Sequence, residues 1–232
     1  MDIIFCSRDR FGIKPFYYAE IDGKLVFGSE IRQILPFQKN TLPNISVVKE
    51  FLLSGIVEPY TQTFFMGVYK LPGSHNLIYD LSSHQFKINK YYSLNKSICK
   101  EHTDIEKSIK DYGKKLERSI EIRLRSDVPV GTCLSGGIDS STVATIAAKI
   151  YKLKETHQFQ AITAVSETKD NDESPYAKTV AAASAIKWHT VKPSCEDFTE
   201  HLPTIVRIQE EPFASPSIVM QYFVMETAKR EN

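Results

Sequence analysis

The chain has 232 residues, with 29 basic side chains against 28 acidic ones. That is enough length for more than one unit, and too even a charge for a nucleic-acid or membrane-surface partner. No apolar stretch approaches the ~20 residues of a membrane span, and the first residues lack the basic region and cleavage site of a secretory signal. A cytoplasmic protein is expected. The four cysteines, Cys6, Cys99, Cys133 and Cys195, form no CxxC pair, and the six histidines show no ligand spacing. Free thiols in a reducing compartment are expected rather than a disulfide framework or a zinc site, with Cys133 as core filling.

The first third reads as β-rich. Residues 3–7, 16–20 and 24–27 are strand candidates, and Asp22-Gly23 is a hairpin signal between the last two. Residues 46–54 carry a helix pattern, with Val47, Phe51 and Ser54 on one face. Pro59, Pro72-Gly73 and the polar residues 82–85 punctuate the chain after that helix. Little periodicity is left over residues 89–103, so the boundaries expected are a first domain over 1–90, a linker over 91–103 and a second domain over 104–232.

A long amphipathic helix is expected over residues 104–125, because Ile105, Ile109, Tyr112, Leu116, Ile120 and Leu124 form one apolar stripe. An apolar strand over 128–134 then feeds Ser135-Gly136-Gly137-Ile138-Asp139-Ser140-Ser141, which opens a helix over 142–151 packing through Val143, Ala147 and Ile150. Strands over 160–166 and 188–191 alternate with helices over 174–186 and 196–209. The pair Ser215-Pro216 opens a last helix. Short strands with crossover helices predict an α/β fold with a doubly wound parallel sheet, whose ligands sit at the carboxyl ends of the strands.

The loop over 135–141 lies at such an end. Its backbone N–H groups and those of the helix start converge on one spot, which suits an anion. Gly136 and Gly137 let the main chain approach a phosphate; Ser135, Ser140 and Ser141 add hydroxyls, and Asp139 offers a carboxylate to a magnesium ion. A plain tight turn capped by Ser140 is the bland alternative. The loop lacks the Gly-Lys-Ser/Thr ending of a Walker A motif, so it suits a nucleotide held by its pyrophosphate.

These residues resemble the signature of the PP-loop ATP pyrophosphatases. The approach to the loop, Arg123-Leu124-Arg125-Ser126-Asp127-Val128-Pro129-Val130-Gly131, is similar to that of glutamine-hydrolysing asparagine synthetases. Arg8-Asp9-Arg10-Phe11-Gly12-Ile13-Lys14-Pro15, Tyr17-Tyr18 and Gly28-Ser29-Glu30-Ile31 resemble the last part of that family's glutaminase (Ntn-type) domain, and residues 211–217 resemble a stretch lining the synthetase site.

The resemblance implies ATP and Mg2+ as cofactors, and ATP, aspartate and glutamine-derived ammonia as small-molecule partners; a homodimer is compatible with it. It implies that Leu134 and Val165 hold the adenine through their backbones. Ser135, Gly136, Gly137, Asp139, Ser140 and Ser141 would hold the pyrophosphate, with Asp139 as the metal ligand. Glu210 matches an acidic residue thought to move protons when ammonia attacks, with Glu211 as its competitor. The family's amino-terminal cysteine nucleophile has no counterpart, since position 2 is Asp2 and Cys6 sits within a strand. The chain therefore reads as a central slice of a longer enzyme, inactive in isolation. A related amidotransferase acting on another carboxylate, or a non-catalytic nucleotide-binding remnant, are the alternatives.

Overall fold

The computed structural model describes residues 2–56, 61–94, 104–154, 157–166 and 172–231. The chain divides into two compact units, one of residues 1–99 with 206–214, the other of 100–205 with 215–232. Pro59, Cys99 and most of the expected linker lie outside the described residues.

The first unit holds two antiparallel sheets. Strands β1 (Ile3–Ser7), β5 (His75–Asp80) and β6 (Gln85–Lys90) form one, in the order β1-β5-β6. Strands β3 (Lys24–Gly28), β2 (Tyr17–Ile21) and β4 (Tyr69–Lys70) form the other, in the order β3-β2-β4. The β2–β3 hairpin turns at Asp22 and Gly23, whose φ angles of 50° and 71° are both positive, as a two-residue primed turn demands. Neighbouring strand residues face opposite ways, so β2 serves two cores. Tyr18 packs with Cys6, Leu71, Leu77 and Tyr79, while Ala19 packs with Ile31, Ile34 and Val68. Ile31–Gln33 and Leu35–Phe37 are single 3-10 turns, and helix α1 (Ile45–Ser54) ends on Gly55 in the left-handed region.

The glutaminase-like motif at residues 8–15 forms a self-braced loop. The Arg8 guanidinium donates to the carbonyls of Gly12 (2.8 Å), Lys14 (2.8 Å) and Leu71 (2.5 Å). The Asp9 carboxylate accepts the N–H groups of Phe11, Ile13 and Lys14 at 2.9–3.1 Å. A side chain on Gly28 would meet the Gln33 carboxamide oxygen at 2.5 Å, and that oxygen accepts the Ser29 and Glu30 amides. The residue pattern there comes from one glutamine filling the space a glycine leaves.

The second unit is a parallel α/β layer structure. Helix α2 (Ile105–Arg123) precedes β7 (Gly131–Cys133), α3 (Ile138–Lys154), β8 (Gln160–Ala164), α4 (Ser174–Ala183), β9 (Lys187–Val191), α5 (Cys195–Gln209) and α6 (Ser217–Arg230). The strands pair in parallel in the order β7-β8-β9. Ala161 joins a core with Ala144, Ala147, Ala148 and Tyr151 of α3 and with Ala177 and Ala181 of α4. Its neighbour Ile162, pointing the other way, shares a cavity wall with Val224 of α6. Helices thus cover both faces of β8, which is the expected α/β class.

Two expectations shift. The α2 stripe is buried only along its second half. Leu116, Ile120 and Leu124 meet the core, while Ile105, Ile109 and Tyr112 are 75%, 66% and 68% exposed. On α3 the expected Ala147 is buried and Ile150 packs against the core, but Val143 is 39% exposed and its place is taken by Ala144, with Ala148 and Tyr151 completing the buried face.

Candidate nucleotide site

Strand β7 is short, and its end is fixed by a buried polar relay. The Trp188 indole N–H donates to the Thr163 hydroxyl (2.8 Å), which donates to the Leu134 carbonyl (2.6 Å). The Leu134 amide donates to the Ile162 carbonyl at 3.0 Å, and Val165 donates to Val191 at 2.8 Å. Leu134 and Val165 therefore sit at the carboxyl ends of adjacent parallel strands with their amides already used. The Leu134 carbonyl is engaged as well, since it accepts the Thr163 hydroxyl, which leaves it one lone pair for a further contact.

The chain turns sharply at Gly136, whose φ is +99°. A Cβ there would collide with the Glu173 carbonyl and stand 3.1 Å from the Ala177 amide, so only glycine permits this approach to the start of α4. The serines brace the turn from within. Ser140 Oγ accepts the Ser135 amide (3.3 Å) and donates to the Gly137 carbonyl (3.2 Å), so Ser135 is the donor in the 2.8 Å contact between the two hydroxyls. Ser135 Oγ accepts the Gly137 amide at 3.3 Å, and the Ser141 amide donates to the Gly137 carbonyl at 3.0 Å.

Asp139 and Ser140 lie in the first turn of α3, where helix amides lack intrahelical acceptors and the dipole favours an anion; Ser141 follows with its amide already on Gly137. Asp139 is exposed. The Ser141 hydroxyl oxygen is buried without a hydrogen-bond partner, an orphaned donor in the loop expected to hold phosphate.

Beside this turn lies a cavity of about 390 Å³, lined by Cys133, Leu134, Ser135, Ile162, Ala164, Glu173, Met220, Gln221 and Val224. Its volume falls in the range of small-molecule sites. Glu173 is a residue that sequence reading missed: a charge before Ser174-Pro175 reads as a helix-start residue, and only the approach of α4 to the turn brings it here. Cys133, expected as core filling, is exposed instead, on the wall of the cavity. No group of three or more His, Cys, Asp or Glu side chains that could hold a metal occurs among the described residues. A magnesium ion here would draw one or two carboxylates from the protein and its other oxygens from phosphate and water.

Glu210 and Glu211 belong to the first unit. Glu210, at φ +63°, accepts the Ile31 and Arg32 amides, one on each carboxylate oxygen, both at 2.7 Å. Glu211 pairs with Lys70 at 2.8 Å and accepts the Phe64 amide at 3.1 Å. Of the expected site residues, Leu134 and Ser135 line the cavity, the rest of the loop and Val165 do not, and the two glutamates have other partners.

A parallel sheet with a glycine-locked, serine-braced turn at its carboxyl edge defines an α/β unit with a candidate ligand site at its strand ends. The asparagine synthase family model matches residues 111–232, and the glutamine amidotransferase domain model matches residues 1–92. This chain belongs to the asparagine synthase family. It is 36% identical over 232 residues to a Methanocaldococcus jannaschii protein bearing the name asparagine synthetase [glutamine-hydrolyzing] 2, a match covering 98% of this chain and 44% of that one. With asparagine synthetase [glutamine-hydrolyzing] 1 of Bacillus subtilis it shares 32% identity over 231 residues, covering 98% of this chain and 35% of the relative. The chain spans less than half the length of these relatives. Among solved structures, the NH3-dependent NAD synthetase of Campylobacter jejuni aligns over 53% of both chains at 19% identity, with a TM-score of 0.36.

Proposed function

We propose that this chain carries the nucleotide-binding part of a glutamine-dependent asparagine synthetase, together with part of the domain that releases ammonia from glutamine. The boundaries proposed are 1–90 for the glutaminase part, 91–103 for the linker and 104–232 for the synthetase part. The observation that carries the reading is the Gly136 turn, pressed on Glu173 at the mouth of a cavity that already has the volume for a small-molecule ligand. The named relatives support the choice of acceptor.

In the proposed reaction, the side-chain carboxylate of aspartate attacks the α-phosphorus of ATP. The bond to the β-phosphate oxygen breaks and pyrophosphate leaves, giving β-aspartyl-AMP. Ammonia then attacks the activated carbonyl carbon, loses a proton and expels AMP, giving asparagine.

The chain's own groups suit the first step. The amides at the start of α3 and the unpartnered Ser141 hydroxyl would hold the departing pyrophosphate, while Ser135 and Ser140, whose hydroxyl protons are spent within the turn, would keep that arrangement preorganised before charge develops. The Leu134 and Val165 backbones would face the adenine. Asp139 would hold the magnesium ion, which supplies charge neutralisation when bound. Glu210, with both oxygens on backbone amides, is better suited to hold a segment than to move a proton. The site is proposed in a cytoplasmic protein, and no helix among the described residues is long and apolar enough to cross a membrane.

Equilibrium dialysis of the purified chain with labelled ATP and magnesium tests the nucleotide reading. Saturable binding that Asp139→Ala weakens at least tenfold is expected. Binding that ignores this change, or no binding, sinks it. Acceptor choice is tested in a protein extended to the length of the relatives, by pyrophosphate release with aspartate against other carboxylates.

A further inference from the structure

The acidic residue beside the glycine turn carries a side chain that its own helix does not use. Glu173 stands at the N-cap of α4, yet its carboxylate accepts no capping bond. The amides at that helix start are already in use. Ser174 donates its amide (3.1 Å) and its hydroxyl (2.9 Å) to the Asp172 carboxylate. Position 175 is proline, and the Tyr176 and Ala177 amides go to the Glu173 carbonyl at 3.0 and 3.3 Å. Asp172 and the Glu173 backbone thus satisfy the helix start between them. Among the described residues the Glu173 carboxylate has no hydrogen-bond or ion-pair partner.

That carboxylate stands where the cavity meets the loop. Glu173 lines the cavity, and its Oε2 lies 3.8 Å from the position a Cβ on Gly137 would take. Of the other polar side chains on the wall, Ser135 directs its hydroxyl proton to Ser140, and Gln221 comes from α6. Leu134, Ile162, Ala164, Met220 and Val224 make the rest of the wall chiefly apolar. A nucleotide laid across this place puts its base against the apolar wall and its phosphates at the start of α3. Its sugar then falls between them, beside Glu173. A carboxylate repels a neighbouring phosphate, whereas it accepts hydroxyl protons in strong, charge-assisted bonds. In dinucleotide-binding sheets of the doubly wound class an acidic side chain takes a ribose hydroxyl in this way.

We infer that Glu173 is a specificity-determining residue of this site, whose carboxylate accepts the sugar hydroxyls and selects a ribonucleotide over its deoxy forms. The inference rests on the nucleotide reading above, and every residue it uses belongs to the second unit. The Gly136 turn serves the same end. Because the loop lies against the Glu173 carbonyl, the backbone that carries this carboxylate is fixed relative to the loop expected to hold phosphate.

Equilibrium dialysis of the 232-residue chain in magnesium tests it with three proteins: wild type, Glu173→Ala and Glu173→Gln. The ligands are ATP, 2′-deoxy-ATP, 3′-deoxy-ATP and inorganic pyrophosphate. Glu173 is exposed and Asp172 keeps its bonds to Ser174, so both variants are expected to fold. In the wild type at least one deoxy analogue should bind about tenfold more weakly than ATP, the loss of one hydrogen bond to a charged group. In Glu173→Ala that preference should shrink to within about twofold, because the acceptor is gone. Glu173→Gln keeps one acceptor oxygen without the charge and should fall between the two. Pyrophosphate has no sugar, and its binding should stay within about twofold across all three proteins.

The inference is overturned if the wild type binds the three nucleotides alike, a readout that stands even where a variant fails to fold. It is also overturned if Glu173→Ala keeps the preference for ATP. A change in pyrophosphate binding as large as the change in ATP binding overturns it too, since that would tie the carboxylate to the loop or its magnesium rather than to the sugar. Absence of ATP binding by the wild type overturns the nucleotide reading itself, and the sugar assignment with it. The two failures are thus distinguishable.

Discussion

Gly136 lies against the Glu173 carbonyl, so the turn that leads into α3 and the start of α4 share a surface no side chain can enter. Gly136→Ala must both hold a positive φ and displace backbone. The expected result is a second unit destabilised by more than about 1 kcal/mol. Nucleotide binding should be lost along with it. Thermal melts followed by circular dichroism, alongside dialysis with ATP, check both, and an unperturbed melt would show that the turn has slack.

Ser141 separates binding from stability. Its hydroxyl oxygen is buried and unpartnered, a state that costs about 1–3 kcal/mol for a group of this kind. Ser141→Ala removes the orphan at little cost in packing. The variant is expected to melt at the same temperature or a few degrees higher, yet to bind ATP about tenfold more weakly, since the hydroxyl's partner would be phosphate. A loss of stability with intact affinity would give the serine a folding role instead.

How much of the molecule is legible in the chain itself depends on the range of each contact. The glycine turn, the parallel α/β order and the Asp22-Gly23 hairpin are local chemistry, and the structure has them where the residues point. The β5–β6 hairpin is not among the expected elements. Leu77 and Tyr79 do alternate inward, but Asp80, whose carboxylate accepts the Ser82 and Ser83 amides at 2.8 Å, makes the turn read as a polar break. The α2 stripe is continuous in sequence, yet only its second half meets the α3 core. Glu173 and the Glu210–Glu211 pair are out of reach for another reason. Their roles depend on partners brought up by tertiary approach, and for Glu210 those partners lie 178 and 179 residues away.

The relay from Trp188 through Thr163 to Leu134 holds the strand end that presents the loop. Thr163→Val keeps the shape but leaves the Leu134 carbonyl and the Trp188 indole without their shared hydroxyl. A loss of about 1–3 kcal/mol is expected for the second unit, with the first unit's melting unchanged. Urea unfolding followed by Trp188 fluorescence reads this directly, because Trp188 is the chain's single tryptophan.

Asp9 gives the first unit an acid-sensitive brace. Backbone N–H bonds from Lys14 and Ile13 hold its carboxyl below the usual carboxylate range. A group whose folded pKa is depressed contributes stability that is fully present above its unfolded pKa, near about 4, and is lost as the pH falls through the folded value. The loop over residues 8–15 should therefore stay ordered at neutral pH and loosen only below about pH 4. Carbon-13 titration of the Asp9 carboxyl is expected to show a midpoint below that of an unstructured peptide. In Asp9→Asn the acid limb of the stability curve should flatten, and the Phe11, Ile13 and Lys14 amides should exchange faster at every pH. An Asp9 midpoint at the ordinary aspartate value would mean that the three amide bonds do not persist in solution.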